Sequence, residues 1–346
     1  MLHLSRMNDV AVVILNWNGK SFLEQFLSTV IECSPGTRII VADNASTDES
    51  VAYIQENFPS VEIIENESNG GFAKGYNDAL KKVDSKYYLL LNSDIEVTPN
   101  WIQPLLDCMQ DESISGCQPK IRSFQQKDSF EHAGACGGFM DSNYFPFCRG
   151  RIFNEIEEDK AQYEESMEIF WATGAALMIR SEIYHAHGGF DEDFFAHMEE
   201  IDLCWRIKRQ NGRFMVAPES VVYHVGGGTL SYTSPRKVYL NFRNNLMMLV
   251  KNHQGLLFPK LLWRVSLDGL AAVRFLVGGE FKNFGAVFRS HMYLYGNLGS
   301  LLKKRSALKK SATEFNTKGW YSGSIIWAFY GKKVRKFSDL NQRLFK

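Results

Sequence analysis

The sequence predicts an α/β protein, a mostly parallel β-sheet flanked by helices with a helical C-terminal extension. Three observations carry that expectation. Short apolar runs bounded by polar residues recur at Val10–Leu15, Arg38–Ala42, Val61–Ile64 and Tyr87–Leu91, and such runs mark strands buried on both faces. Segments with apolar residues at helical spacing lie between them, so strand and helix alternate through the first hundred residues, the pattern of a sheet covered on both sides. From Ser234 onward the chain turns to long helical stretches with aromatic and basic residues interleaved.

Taken in order, VAVVIL (Val10–Leu15) reads as the first strand and Ser21–Glu32 as the first helix, with Phe22, Leu23, Phe26, Leu27 and Val30 on one face. RIIVA (Arg38–Ala42) is the second strand, followed by a helix over Ser46–Glu56 that Ser46 or Thr47 can cap. Val61–Ile64 is a third strand, and a helix over Gly75–Val83 leads to the fourth, Tyr87–Leu91. Cys117–Glu168 looks irregular, rich in glycine and aromatics, with an acidic run at Glu155–Glu165. Trp171–Arg180 and Arg213–Val225 read as strands flanking a helical Glu199–Arg209. The expected division is one unit over 1–233, with halves of about 8–116 and 117–233, and a helical, basic, aromatic-rich region over 234–346.

A chain of 346 residues, 45% hydrophobic and 23% charged, has ample material for a core. Its six cysteines are scattered without a C-x-x-C pair and no signal-like N-terminus precedes them, which points to free thiols in the cytoplasm and to neither zinc nor disulfides. The net charge is zero but divided: Phe281–Lys346 holds 14 Lys/Arg against 2 Asp/Glu, leaving 25 against 37 before it. Such asymmetry suggests an acidic partner, unless the basic tail docks on the acidic body. No nucleic-acid recognition module is evident, so the partner expected is an anionic membrane surface. The most apolar stretch, Leu267–Gly279, is broken by Asp268 and Arg274 and falls short of the roughly 18 residues of a spanning helix. Peripheral attachment remains open, because Trp263, Phe275, Phe281, Phe284, Phe288, Tyr293 and Tyr295 alternate with Arg264, Arg274, Lys282 and Arg289. Equally open is that these helices close the core.

Gly19-Lys20-Ser21 follows a strand as a phosphate-binding loop does, but the glycine needed five positions earlier is Ile14. Gly70–Gly75 likewise misses the G-x-G-x-x-G spacing. What remains is a set of polar residues just past strand ends: Asn16, Asp43 and Asn44, the Asn69–Gly75 segment with Gly70, Gly71 and Phe72, and Asn92-Ser93-Asp94. In a parallel sheet these places converge on one crevice. Asp43 can accept hydrogen bonds from a base, the glycines admit close approach, and Asp94 is a hard oxygen ligand for Mg²⁺ or Mn²⁺. Base, phosphate and metal contacts together imply a nucleoside diphosphate.

The strings VVILNWNG, VADNASTDES, NGGFAKGYNDAL, YYLLLNSDIEV, WATGAALMIR, GGFDEDFFAHMEEIDLCWR and VVYHVGGGT run in order as far as Thr229. Through them the chain resembles the family 2 glycosyltransferases of the GT-A fold, particularly the rhamnosyltransferase-like bacterial branch that extends cell-surface polysaccharides. The resemblance implies metal-dependent, inverting transfer of a hexosyl or deoxyhexosyl group from a nucleotide diphosphate sugar to a saccharide, with a lipid-linked acceptor at the inner face of the plasma membrane. It would place Asp43 on the pyrimidine and Asn16, Asn44, Gly70, Gly71, Phe72, Asn92 and Ser93 around the nucleotide. Asn92-Ser93-Asp94 stands where the family has D-x-D, so the metal would rest on Asp94 and on His224. Glu199–Asp202 matches the family's E-D-x-D, whose second position, Glu200 here, is the implied base; because glutamate there has a longer reach, Glu199 and Asp202 stay open as alternatives. Glu199, Asp202, Trp171 and Gly174 would lie on the acceptor side, where Trp171 either stacks on a sugar or belongs to the core. Two other readings are a nucleotidyltransferase, whose G-x-G-T-R loop is absent, and a catalytically silent nucleotide-sugar-binding or membrane-tethering subunit.

Overall fold

The computed structural model describes residues 7–226 and 234–346. Its first part is β1 (Val10–Asn16), α1 (Lys20–Cys33), β2 (Arg38–Asp43), α2 (Ser50–Asn57), β3 (Glu62–Glu65), α3 (Gly71–Leu80) and β4 (Tyr87–Asn92). The four strands pair in parallel in the order β3-β2-β1-β4. The register sets Asn16 opposite Asp43 and Leu15 opposite Asn92, so the polar residues of three strands end at one edge. Val10–Val13 and Leu89–Leu91 have no exposed surface, which is why those strands read as unbroken apolar runs.

The chain continues through β5 (Ile95–Val97), α4 (Ile102–Cys108), β6 (Ile114–Ser123), β7 (Gly138–Asp141), β8 (Pro146–Cys148), β9 (Arg151–Ile152), β10 (Glu155–Ile156), β11 (Met167–Ile169), β12 (Ala176–Arg180), α5 (Ser181–Ala186), α6 (Glu199–Lys208) and β13 (Arg213–His224). One nine-stranded sheet results, in the order β11-β13-β6-β12-β4-β1-β2-β3, with β5 on β13. It is mixed rather than mostly parallel, because β12 runs antiparallel to both β4 and β6. The chain leaves β6 at the carboxyl edge, builds a small sheet there and enters β12 from that same edge, which dictates the reversed direction. β13 runs parallel to β6 and so delivers His224 to the edge that carries Asp94.

The segment expected to be irregular holds that small sheet, β10-β9-β8-β7-β14, completed by β14 (Trp320–Tyr321) from the C-terminal tail. Helices α7 (Pro235–Asn252), α8 (Leu257–Val277) and α9 (Phe281–Ser311) form the C-terminal extension. Leu246–Val250 of α7 are fully buried and share one core with Trp205 of α6. After Ser311 the chain wraps back over the small sheet, where Phe337 and Phe345 meet Phe139 at ring distances of 4.8 and 5.5 Å. Among the described residues no helix is long and apolar enough to cross a membrane. Gly227–Thr229 of the VVYHVGGGT string lie outside the described residues.

Candidate active site

The donor edge is built from side chains that hold one another. Asn16 is buried and donates through Nδ2 to Asp43 Oδ1 at 3.0 Å and to Ser46 Oγ at 3.2 Å. Asp43 accepts from Ser46 N at 2.8 Å and Ser46 Oγ at 2.6 Å, which closes the turn after β2. Asn16 Oδ1 is buried without a partner, an acceptor left over at the sheet edge. Asn44 bridges Asn69 Oδ1 at 3.0 Å and Gly71 O at 3.1 Å, and so ties the glycine segment to β2. Gly71 has φ +81°, and a Cβ there would stand 2.5 Å from Phe195 O. The close approach this glycine permits is therefore to the chain's own backbone: Phe72 N donates to Phe195 O at 2.7 Å.

Asp94 and His224 meet past the ends of β4 and β13. Asp94 Oδ1 lies 3.2 Å from His224 Nε2, and both side chains are nearly buried. Asn92 Nδ2 is 3.4 Å from the same ring nitrogen, while Glu131 Oε2 lies 3.2 Å from Nδ1. Burial works against charge on this imidazole, but the Asp94 and Glu131 carboxylates outweigh it and raise its pKa to about 10. Among the described residues no cluster of three or more His, Cys, Asp or Glu makes a complete metal cage. Two donors are nevertheless what a Mg²⁺ or Mn²⁺ site takes when phosphates complete it. The 3.2 Å Asp94–His224 contact is that of a hydrogen bond from a protonated ring nitrogen, so His224 would hold an ion only after giving up that proton. An imidazole beside a carboxylate suits Mn²⁺ better than the all-oxygen preference of Mg²⁺.

The acid cluster opens α6. Phe195, His197 and Met198 before it have φ of 64, 70 and 71°, left-handed values that cost a non-glycine residue about 1–3 kcal/mol each. The turn is clamped from two sides. Phe72 takes the Phe195 carbonyl, and Asn244 of α7 donates to Phe194 O, Ala196 O and His197 O at 3.0, 2.8 and 2.7 Å. Arg243 adds a bond to Phe194 O at 2.7 Å. Burial raises the Glu200 carboxyl to about 7, although backbone N–H groups at the helix start draw it down. Burial and the neighbouring Glu200 charge hold Glu199 well above the usual range. A Cβ on Gly174 would lie 3.2 Å from the Phe72 ring and 3.5 Å from Glu200 Cβ. That gap joins the glycine segment to the acid cluster.

Other candidates are placed elsewhere. Asp202 is fully buried and bound by Arg206 Nε, Lys251 Nζ and Asn252 Nδ2, each at 2.8 Å; its carboxylate locks α6 to α7 and faces no acceptor. Trp171 is buried with Nε1 on Phe139 O at 2.9 Å, so of its two readings the core position is the one found. Asp191 pairs with Lys251 at 2.5 Å and Lys304 at 2.7 Å beside a cavity of about 480 Å³ between the 188–193 loop and α9. Part of the basic tail thus does dock on the acidic body. Glu131, Arg243 and Asn244 escaped sequence reading. Glu131 stands in an irregular stretch and the other two inside an ordinary amphipathic helix, so no local pattern distinguishes them.

A sheet edge of this kind, joined to an acid-bearing helix across a glycine gap, defines a transferase of the nucleotide-sugar type. The profile of the family described as "Glycosyl transferase family 2" matches residues 11–187, and the chain belongs to that family. It is similar to the N-acetylglucosaminyl-diphospho-decaprenol L-rhamnosyltransferase of Mycobacterium tuberculosis, 22% identical over 78% of this chain and 92% of that protein. It is also similar to the low-salt glycan biosynthesis hexosyltransferase Agl10 of Haloferax volcanii, 23% identical over 70% of this chain and 75% of that one. Among solved structures, GalNAc-T7 with UDP, GalNAc and Mn²⁺ superposes with TM-score 0.59 at 18% identity, over 88% of this chain and 55% of that one. The mannosyltransferase PcManGT of Pyrobaculum calidifontis, in complex with GDP-Man and Mn²⁺, gives 0.52 at 13% identity over 89% and 92%. These likenesses establish the fold.

Proposed function

We propose that the chain transfers a hexosyl or deoxyhexosyl group, with inversion, from a nucleoside diphosphate sugar to a hydroxyl of a lipid-linked saccharide. The observation that carries the reading is the Gly174 position, where the Phe72 ring of the glycine segment and the Cβ of Glu200, whose carboxyl is raised to about 7, both lie within 3.5 Å of the space a Cβ would take. Such a pKa suits a general base working near neutrality. Glu200 takes the acceptor's hydroxyl proton as its oxygen bonds to the anomeric carbon, and the bond from that carbon to the diphosphate breaks.

Asp94 and His224 are the residues that would hold a divalent ion, which when bound supplies positive charge to the departing diphosphate. Glu131, against the far nitrogen of His224, orients that ring as carboxylates behind ligating histidines do. Asn92, in place of an acid, adds an amide facing the same ring. Asn16 and Asp43 offer the base its polar edge. The rhamnosyltransferase relative, whose printed name gives a diphospho-decaprenol carrier, supports a polyprenyl-linked acceptor here.

The test combines a screen of nucleotide sugars for thermal stabilisation with Mn²⁺ and a transfer assay on the best donor. Transfer with release of nucleoside diphosphate is expected. Release of pyrophosphate would favour a nucleotidyltransferase, and binding without turnover a silent subunit.

A further inference from the structure

Helix α8 buries Leu257, Leu261 and Ala272 together with an ion pair. Its buried side carries Arg264 and Asp268, paired at 3.0 Å and only 2 and 1% exposed. Arg264 also binds the Asn245 amide and stacks on the Phe145 ring at 3.7 Å. The opposite side presents Phe258, Leu262, Leu270, Val273 and Val277, exposed by 66, 70, 68, 54 and 84%, interrupted only by the exposed Ser266 between Leu262 and Leu270. Five large apolar side chains in one stripe about 30 Å long exceed what scattered surface residues account for.

We infer that this outward face of α8 docks on an anionic lipid bilayer. Charge selects the occupant. Between residues 256 and 311 the only acids are the buried Asp268 and Glu280 at the α8–α9 turn, whereas Arg274, Lys282 and Arg289 are exposed. At the C-terminal end of α8, Arg274 Nη1 donates to Tyr330 Oη at 2.9 Å. That bond brings in exposed Trp327 and Tyr330, and exposed Lys332 and Lys333 follow them. Apolar stripe, interfacial aromatics and flanking cations are the elements of a helix lying in the headgroup region of acidic membranes. A second copy of this chain would set like charges against each other. The inference rests on the transfer reading only in that a lipid-linked acceptor gives the contact its use. In the fold the face connects to the site, since Arg264 binds Asn245 of α7, whose neighbour Asn244 clamps the turn before Glu200.

The experiment sediments the full chain with phosphatidylcholine vesicles, with and without phosphatidylglycerol, in the absence of any sugar. The wild type should partition onto the anionic vesicles, and Leu262→Glu/Leu270→Glu should lower that partition at least about tenfold. Both substituted positions face solvent, so thermal unfolding and donor-induced stabilisation should not change. Lys332→Glu/Lys333→Glu should reduce the preference for phosphatidylglycerol. Equal partition of wild type and the leucine variant, no partition of the wild type, or a wild-type dimer that this variant dissolves would each overturn the inference. A chain that binds vesicles but transfers no sugar would leave docking intact and refute the transfer reading alone.

Discussion

Replacing Glu200 by glutamine keeps the size of the side chain and removes its charge, with consequences for stability and rate that can be worked out together. The carboxyl titrates at 4.5 in an ordinary environment and at about 7 in the fold. Because the folded value is the higher one, folding favours the protonated form. The stability of the wild type is therefore intact below about pH 4.5 and declines until the pH has passed about 7. At about 1.36 kcal/mol per unit the loss reaches at most about 3 kcal/mol at pH 8 and less than about 1 kcal/mol at pH 5. Glutamine does not ionise, so Glu200→Gln should be the more stable protein, by a margin that opens between those pH values. Transfer should fall by about 10² to 10⁴, while donor-induced thermal stabilisation persists. In the wild type, kcat/KM should climb with pH towards about 7 and then level. Urea unfolding at pH 5 and pH 8, with a labelled-donor assay across the same range, measures all of these. A stability difference that does not change with pH, or transfer at the wild-type rate, would refute the assignment.

Three further substitutions, with Gly296→Ala as a control, test the rest of the site. Asp94→Asn should abolish the part of nucleotide-sugar stabilisation that depends on Mn²⁺ and leave the metal-free part in place; thermal shifts with and without Mn²⁺ separate the two. Gly71→Ala forces a Cβ into Phe195 O at φ +81° and should cost at least about 1–3 kcal/mol. Gly296→Ala, in helix α9 with nothing within reach of the new methyl, should instead gain about 0.5–1 kcal/mol; chemical denaturation ranks the pair. Asp202→Ala leaves Lys251 and Arg206 buried without their shared carboxylate and should cost about 3–5 kcal/mol. The lower end applies because Lys251 retains Asp191 at 2.5 Å. The folded fraction should keep the wild-type KM for acceptor, which a role for Asp202 on the acceptor side would not allow.

In the first half of the fold β1, β2 and β4 were legible because they are buried on both faces and run as apolar stretches, whereas β3, a half-exposed edge strand, showed only its central Ile63 and Ile64. β6 was not, since Gly116, Gln118, Pro119 and Lys120 break its pattern. The charge of Lys120 is tolerated inside only because Asp159 at 3.2 Å and Glu164 at 2.5 Å reach it from the acidic run, and that pairing spans about forty residues. The small sheet was invisible for a different reason, its strands being two to four residues long and too short to show a period of two. Asn16, Asp43 and Asp94 stood out as candidates because each follows a strand, whereas Glu200 stood out only through the resemblance, since an acid at a helix start is otherwise ordinary. Glu131 could not, because only the return of β13 beside β6 brings His224 to it. Asp202 misled for a related reason: a carboxylate one turn into an acidic helix start reads as part of the site until Lys251 and Asn252 are found against it.

The same contacts bear on where the catalytic unit ends. Three left-handed residues precede Glu199, and such strain survives only where surrounding bonds over-determine it. Three groups supply those bonds, the Phe72 N–H from the glycine segment and the Arg243 guanidinium and Asn244 amide on α7. Without α7, three carbonyls of the turn would lose the Asn244 donor, and Asp202 would lose Lys251 and Asn252 together. The turn would then be free to relax toward ordinary backbone angles, carrying the start of α6 and the Glu200 carboxyl away from the Gly174 gap. Sequence character changes at Ser234, but the geometry around Glu200 depends on side chains beyond it. For the chemistry, α7 counts with the sheet, while the outward face of α8, linked through Arg264 and Asn245 to the helix that holds the turn, is the part left to meet a partner.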